Sequence, residues 1–201
     1  MIIHDHAQGS DDWFACRAGI PTASRFSDIY TSTGKPSASA DKYMNLLLAE
    51  RLSSVPLESF SSEWMSRGTE LEPKARTYYE FIKDVEVEET GFITLDDCTV
   101  GGSPDGLTKD GGLEIKCPSP AIHIGYLLKN GQCPATYLPQ VQGLMWICQR
   151  DSWDFMSYHP DIEKQLIVTV QRDEEWLKGF TDTLAVFQEK LDTLTRRLED
   201  A

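Results

Sequence analysis

Apolar residues recur at helical spacing through the first half of the chain and again near its C-terminal end. Ser10 precedes two acidic residues and can serve as the N-cap of a short helix. Residues 31–39 are rich in Ser, Thr, Gly and Pro, which predicts a surface loop. The clearest apolar stripe consists of Tyr43, Met44, Leu47, Leu48 and Leu52. The predicted helices cover residues 11–16, 22–29, 43–52, 62–83, 121–128, 137–148 and 174–198.

The helix predicted over 62–83 contains two residues that disfavour helical structure, Gly68 and Pro73. Proline lacks a backbone N–H, and its ring clashes with the preceding helical turn. The sequence therefore predicts that this helix breaks or bends.

From Val85 onwards, short β-branched and apolar runs appear between the helical segments. A hairpin-like unit occupies residues 103–117. Strands that alternate with helices are typical of an α/β fold, so we expect a central mixed β-sheet flanked by helices. The chain length is that of one domain, over residues 1–201. The predicted strands cover residues 85–87, 92–95, 99–100, 153–158 and 166–170.

Composition narrows the class of protein. The chain has 40% hydrophobic and 25% charged residues, which is typical of a soluble globular domain. No apolar run approaches the roughly 20 residues that cross a bilayer, and the N-terminus lacks the features of a signal peptide, so no membrane attachment is expected. The five cysteines form no CxxC pair, which argues against a structural zinc site or a disulfide framework. A reducing cytoplasm is the expected setting.

The net charge of −13 argues against a general affinity for nucleic acid, because phosphate binding normally uses a surface rich in Lys and Arg. A DNA site on this chain must therefore be local. It would consist of a few arginines, metal ions and backbone amides in a confined channel.

The segment 102–117 contains the residues with the clearest chemistry. Asp110-Gly111 is a typical two-residue hairpin turn, because both residues tolerate positive φ. A turn centred there sets Asp105 opposite Lys116 and Leu107 opposite Glu114. Since side chains alternate along a strand, the two carboxylates and the lysine are expected on one face.

Two carboxylates and an amine suit a hard cation and an activated water. Mg²⁺ prefers oxygen ligands and keeps several waters, and it makes a bound water more acidic. A lysine can hold the attacking water or offset the charge that develops on phosphate. The alternative is structural, because Pro-Asp-Gly is a common turn sequence and Glu-x-Lys is often a solvated ion pair.

The motifs of the chain resemble those of the lambda exonuclease or YqaJ-type viral recombinase family, within the PD-(D/E)xK nuclease superfamily. Pro104-Asp105 followed by Glu114-Ile115-Lys116 matches the core motif. Residues 9–24, 67–76 and 139–146 resemble three further motifs, in the same order along the chain. Four motifs in the right order make a chance similarity improbable.

The resemblance implies roles for particular residues. Asp105 and Glu114 would be metal ligands, together with the backbone carbonyl of Ile115. Lys116 would position or activate the water, and Glu72 would be an additional acidic residue of the site. The pocket for a 5′-phosphate of the substrate would consist of Arg17, Ser24, Ser103 and Gln140.

The resemblance also implies a fold and an activity. The fold would be a restriction-endonuclease-like core. The activity would be that of a 5′→3′ exonuclease that uses Mg²⁺, with Mn²⁺ as a substitute, and degrades one strand of linear duplex DNA from 5′-phosphorylated ends. A homotrimeric ring around the DNA, a phage single-strand annealing protein as partner and the cytoplasm of a bacterial host are implied as well.

Other functions stay open at the level of sequence. An endonuclease or junction resolvase of the same superfamily would use the same residues, and a catalytically silent DNA-binding subunit would not need them. A glycosidase based on two carboxylates would leave Lys116 without a role. His123 and His159 lack a partner at a recognisable spacing, and the five tryptophans are scattered, so a structural role is expected for all of them.

Overall fold

The structure is a computed structural model that describes residues 1–54, 56–57, 63–129 and 131–200, without the side chains of residues 63–66 and 69. The helices are α1 (Asp11–Arg17), α2 (Ala40–Ser53), α3 (Glu63–Lys83), α4 (Pro120–Leu127), α5 (Leu138–Cys148) and α6 (Glu174–Glu199), with a 3₁₀ helix at Ala23–Asp28. The strands are β1 (Ile2–His4), β2 (Phe92–Thr94), β3 (Gly101–Gly102), β4 (Gly106–Leu107), β5 (Gly112–Lys116), β6 (Ser152–Ser157) and β7 (Leu166–Gln171).

Within the described residues, the strands form two sheets. The four-stranded sheet has the order β4-β5-β6-β7, with β5 and β6 parallel and the outer pairs antiparallel. The three-stranded sheet, β1-β2-β3, is antiparallel. The predicted α/β fold with a mixed sheet flanked by helices is therefore confirmed, and an antiparallel sheet accompanies the mixed one.

The helix predictions are confirmed with small differences at their ends. The hydroxyl of Ser10 accepts a hydrogen bond from the backbone of Trp13 and caps α1 as expected. The segment predicted as a helix at 22–29 forms a 3₁₀ helix. Four residues of the apolar stripe of α2 are buried, whereas the side chain of Leu52 is exposed near the end of the helix.

The helix predicted at 62–83 does not break, so of the two alternatives only a bend stays a prediction; its first residue, Ser62, lies outside the described residues. α3 continues through both Gly68 and Pro73. Pro73 lies on the exposed side of the helix. The opposite side packs against β5 through Ala75 and Tyr79. This packing offsets the loss of the backbone hydrogen bond that proline cannot donate.

The predicted strand at 99–100 is displaced by two residues. Gly101 and Gly102 form β3 and pair with β2. A β-carbon at Gly101 would lie 2.2 Å from the ring of Phe92 on the neighbouring strand, so a side chain at this position would displace that buried ring. The segment predicted at 85–87 also lies outside the strands, and next to it Glu88 makes an isolated bridge to Leu107.

The hairpin of β4 and β5 has a register that differs from the predicted one. Gly106 pairs with Leu113, and Leu107 pairs with Gly112. The predicted pairing of Leu107 with Glu114 was therefore wrong by two residues. Because side chains alternate with a period of two, a shift of two residues leaves every side chain on its expected face.

Thr108 explains where the turn lies. Its N–H donates to the carbonyl of Gly111 at 3.1 Å, and its hydroxyl accepts from the N–H of Gly111 at 3.0 Å. These bonds centre the turn on Lys109-Asp110 instead of Asp110-Gly111. The following Gly112 lies against Trp153 of β6, where a β-carbon would come within 2.3 Å of the indole ring.

Both faces of β5 are covered, as expected of a strand with a parallel neighbour. Leu113 and Ile115 pack with Ala75 and Tyr79 of α3. The opposite face of the sheet belongs to a larger core that includes residues of α2, α5 and α6. Within the described part of the chain, no helix is long and apolar enough to span a bilayer.

Asp154, on β6, pairs with Leu113 of β5 and is buried. Its carboxylate connects the sheet to α3. Its Oδ2 accepts from Tyr79 Oη at 2.9 Å and lies 2.9 Å from Lys83 Nζ. Burial acts to raise the pKa of Asp154, but hydrogen bonds from Thr169, Lys83 and Tyr79 outweigh it and hold the pKa below its usual range.

We expect Asp154→Asn to lower the free energy of unfolding at pH 7 by about 2 kcal/mol, because a buried charge-assisted network is lost. Because the pKa of Asp154 is lower in the folded protein, its charged carboxylate stabilises the fold at pH values above the unfolded-state pKa of about 3.9. This contribution is lost as the pH falls through the folded-state pKa. Urea unfolding of both proteins between pH 7 and pH 3 measures the difference, which should shrink below about pH 4. The matched control is Asp151→Asn, at an exposed position. A constant difference at all pH values would contradict the role of the charge.

Candidate active site

Asp105 lies immediately before β4, and its carboxylate turns towards β5. Its Oδ2 accepts a hydrogen bond of 2.6 Å from the backbone N–H of Ile115. Carried one residue beyond the last β4–β5 pair, the register sets Asp105 opposite Glu114, instead of opposite Lys116 as the sequence predicted. Burial raises the pKa of Asp105, while the charge of Lys116 and the N–H of Ile115 act in the other direction.

Glu114, in the middle of β5, has a side chain with no exposed surface. Its Oε1 is bound by the ammonium of Lys116 and accepts from Gln140 Nε2 at 2.7 Å. Its Oε2 is buried without a hydrogen-bond partner among the described residues. Burial and the negative charge of Asp105 raise the pKa of Glu114 to about 8. A buried carboxylate oxygen without a partner is costly, and a cation would offset that cost.

Lys116 lies on the same face of β5, and its ammonium contacts the carboxylate of Glu114. Burial acts to lower the pKa of Lys116, but the charges of Glu114 and Asp105 outweigh it, so the pKa is raised above its usual value. The amine therefore stays protonated at neutral pH. In this state it can donate hydrogen bonds and stabilise negative charge, but it cannot accept a proton.

Glu72 approaches the site from α3. Burial and the charge of Asp105 raise its pKa to about 7, which places Glu72 within the electrostatic field of the site. Its Oε1 accepts from Arg76 at 2.8 Å. Glu70 is exposed and Glu72 is half-buried, so Glu72 is the better candidate of this pair. The spacing of four residues between Glu72 and Arg76 was a signal of a helical ion pair that the sequence prediction did not use.

Arg17 and Ser103 come together although they lie 86 residues apart, with a hydrogen bond of 3.5 Å between them. Trp13 joins them, because its Nε1 donates to the hydroxyl of Ser103 at 2.9 Å and the Arg17 guanidinium stacks 3.9 Å above its ring. A structural role was expected for Trp13, but it is half-buried and forms part of this polar cluster. Its position in the motif at 9–24 was the available signal.

Ser24 and Gln140, the other two residues assigned to the phosphate pocket, lie in different surroundings. The exposed Ser24 is 3.4 Å from the hydroxyl of Thr22, and Thr22 is bridged to Gly101 in β3. Gln140 lies in the first turns of α5 and binds Glu114. The structure therefore places Gln140 beside the carboxylates and Arg17 beside Ser103.

The two histidines and the remaining tryptophans are mostly structural, as predicted. His123 is fully buried, and its ring bridges the hydroxyl of Ser157 and the carbonyl of Lys164. Trp153 and Trp176 are buried in the core. The side chain of Trp64 lies outside the described residues.

The donor set fits a hard divalent cation. Two carboxylates, Asp105 and Glu114, converge at one place, and one carboxylate oxygen of Glu114 has no partner in the described chain. Mg²⁺ is usually held by one or two carboxylates and completes its shell with water and phosphate oxygens. Among the described residues, no group of three or more His, Cys, Asp or Glu side chains is arranged to hold a metal ion.

A mixed sheet with a carboxylate before one strand and Glu-x-Lys on the next defines the class of PD-(D/E)xK nucleases. The chain belongs, within this class, to the family described as the YqaJ-like viral recombinase domain, whose model matches residues 12–151. The match includes every candidate site residue from Arg17 to Gln140. The general activity that goes with this membership is that of a nuclease.

Solved structures agree with this assignment. LHK-Exo, an alkaline exonuclease from Laribacter hongkongensis, is 32% identical and superposes with a TM-score of 0.79 over 95% of this chain and 99% of that one. LHK-Exo in complex with dAMP gives a TM-score of 0.86 over 95% of this chain and 97% of that one. A phage-related exonuclease from Haemophilus somnus 129PT, at 17% identity, shares the fold with a TM-score of 0.72 over 89% and 96% of the two chains. ExoD of Escherichia coli K12 is 32% identical over 60 residues, which are 29% of this chain and 69% of that protein.

Proposed function

We propose that the protein is a Mg²⁺-dependent 5′→3′ exonuclease that degrades one strand of linear duplex DNA from 5′-phosphorylated ends. The observation that carries the proposal is the buried carboxylate of Glu114. It has one oxygen without a partner and lies beside Asp105 and Lys116. Such an arrangement costs stability, and it becomes useful when a cation and a phosphate bind there.

The residues of the site have different proposed roles. Asp105, Glu114 and the backbone carbonyl of Ile115 would hold the metal, which polarises phosphate oxygens and makes a bound water more acidic. Lys116, kept protonated by its neighbours, donates to the attacking water or to the oxygen on which charge develops. Glu72 adds a carboxylate at the edge of the site.

The cluster of Trp13, Arg17 and Ser103 supports recognition of the terminal phosphate. The Arg17 guanidinium offers a fork of donors that matches phosphate oxygens. Its stacking on Trp13 and its bond to Ser103 hold it in one orientation. LHK-Exo, which has the same fold, binds dAMP, a nucleotide that ends in one phosphate. Ser24 and Gln140 are proposed as further donors to the phosphate, although in the structure Gln140 binds Glu114.

A ring-shaped homotrimer around the DNA explains how a chain of net charge −13 retains a polyanion, because enclosure replaces surface attraction. A phage-type annealing protein that takes up the exposed single strand completes the proposed role in recombination. Sedimentation of the protein, alone and with linear duplex, measures the oligomeric state, and a monomer under both conditions would exclude the ring.

One set of substrates tests the activity. The enzyme is incubated with a linear duplex carrying 5′-phosphates, the same duplex with 5′-hydroxyls and a covalently closed circle, each with Mg²⁺ and with EDTA. We expect mononucleotides from one strand of the phosphorylated linear duplex, in Mg²⁺ only. Cleavage of the circle would instead favour the endonuclease or resolvase, and no cleavage of any substrate would favour the silent DNA-binding subunit.

The Arg17→Ala variant tests how the enzyme recognises the 5′-phosphate at a DNA end. A charge-assisted hydrogen bond contributes about 1.5–3 kcal/mol, so its loss should slow degradation of phosphorylated ends about 10- to 100-fold. Ends with a 5′-hydroxyl should be poor substrates for both proteins, so the ratio of the two initial rates should fall in the variant. Arg197→Ala, at an exposed position in the last turn of α6, is the matched control and should keep the wild-type ratio. An unchanged ratio in Arg17→Ala would mean that another group binds the phosphate.

A further inference from the structure

Arg76, on α3, is a buried arginine with three partners on three segments of the chain. It is 8% exposed. Its Nη2 donates to Glu72 Oε1 at 2.8 Å, and its Nη1 lies 2.7 Å from Glu89 Oε1. Its Nε donates to the backbone carbonyl of Asp105 at 3.1 Å. The three donors of one planar guanidinium therefore fix two acidic residues of the site relative to each other.

The hydrogen bond from Arg76 satisfies the backbone carbonyl of Asp105, which has no partner in the β4–β5 ladder. The β4–β5 ladder begins at Gly106, so Asp105 lies just outside it. Its carboxylate is held by the N–H of Ile115, and its carbonyl is held by Arg76. The residue is thus fixed from two sides, by β5 and by α3.

The bond to Glu72 determines how that carboxylate is oriented. Arg76 occupies Oε1 of Glu72, and the two residues lie one helical turn apart on α3. The third partner differs in kind, because the side chain of Glu89 is 71% exposed, so its ion pair with Arg76 contributes little. The buried part of the contact therefore joins Arg76 to the two residues that face the site.

We propose that Arg76 is a positioning residue that aligns Asp105 and Glu72 for binding of the divalent cation. The inference rests on the metal-dependent hydrolysis proposed above. The positive charge of Arg76 and its alignment of the site predict opposite effects of a substitution on metal affinity. Removal of a positive charge beside a cation site should tighten metal binding, whereas loss of the alignment should weaken it.

Two substitutions separate these effects. Arg76→Gln removes both the charge and the fork of donors, and Arg76→Lys keeps the charge but cannot reach three partners in one plane. Glu89→Gln is the matched control, since it changes the exposed partner and leaves the bonds to Glu72 and Asp105 in place. Titration calorimetry with Mn²⁺ measures metal affinity without DNA, and thermal unfolding without metal identifies the folded variants.

We expect both Arg76 variants to bind Mn²⁺ about 10- to 100-fold more weakly than the wild type, as for other residues that orient metal ligands. The kcat should fall while the KM for DNA changes little, and Glu89→Gln should behave like the wild type. If Arg76→Gln does not fold, Arg76→Lys decides the question. Unchanged or tighter metal binding in the folded variants would overturn the role of Arg76. A wild type that binds no Mn²⁺ and hydrolyses no DNA would instead overturn the proposed function.

Discussion

Glu114→Gln is expected to abolish hydrolysis while the protein stays folded. The substitution keeps the shape of the side chain and its contact with Gln140, but it removes the charge that holds the cation. Loss of about 4 kcal/mol of stabilisation in the transition state corresponds to roughly a thousandfold lower rate. Release of nucleotides from phosphorylated linear duplex in Mg²⁺ measures the rate, and circular dichroism reports the fold.

The control for this variant lies in the same hairpin. Asp110 is an exposed carboxylate in the turn, and Asp110→Asn should leave the rate within about twofold of the wild type, as for surface substitutions in general. Asp105→Asn should behave like Glu114→Gln. Substantial Mg²⁺-dependent cleavage by either folded variant would mean that the metal is held elsewhere.

Lys116→Met should separate chemistry from binding. The long apolar side chain preserves the volume of lysine, but the protonated amine is lost. Removal of one preorganised donor at a site of developing charge costs about 100- to 1000-fold in kcat. Binding of DNA ends in Ca²⁺ should persist, because Asp105, Glu114 and the cluster around Arg17 remain.

Single-turnover cleavage in Mg²⁺ and end binding in Ca²⁺ are the two measurements for Lys116. Lys109→Met, at the exposed turn of the same hairpin, is the matched control and should change neither. Loss of end binding with preserved single-turnover cleavage would make Lys116 an anchor for DNA and exclude it from the chemical step.

The sequence predicted which side chains of the hairpin share a face, but it did not predict the register of the two strands. The expected register was wrong by two residues, because the hydroxyl of Thr108 closes a turn on Lys109-Asp110. The prediction that Glu114 and Lys116 share a face survived, since alternation along a strand depends only on whether positions are odd or even. Local periodicity therefore determined the side chains that converge, and the turn chemistry that sets the register was more difficult to predict.

Contacts between distant segments could not be predicted from spacing. Arg76 binds the carbonyl of Asp105, 29 residues away, and Trp13 binds Ser103, 90 residues away. Gln140 was assigned to the phosphate pocket by resemblance, yet it lies against Glu114 because α5 packs over the sheet. Each of these positions depends on how helices and sheets pack, which a motif does not encode.

The close contact between Gly112 and Trp153 has a practical consequence for labelling and library design. A side chain at position 112 would displace the buried indole ring of Trp153. Lys109 and Asp110 are exposed, and a strand rises about 3.3 Å per residue, so Lys116 lies about 20 Å from the turn. A fluorophore or a short inserted peptide at this turn would therefore report on the protein during DNA degradation without entering the catalytic centre.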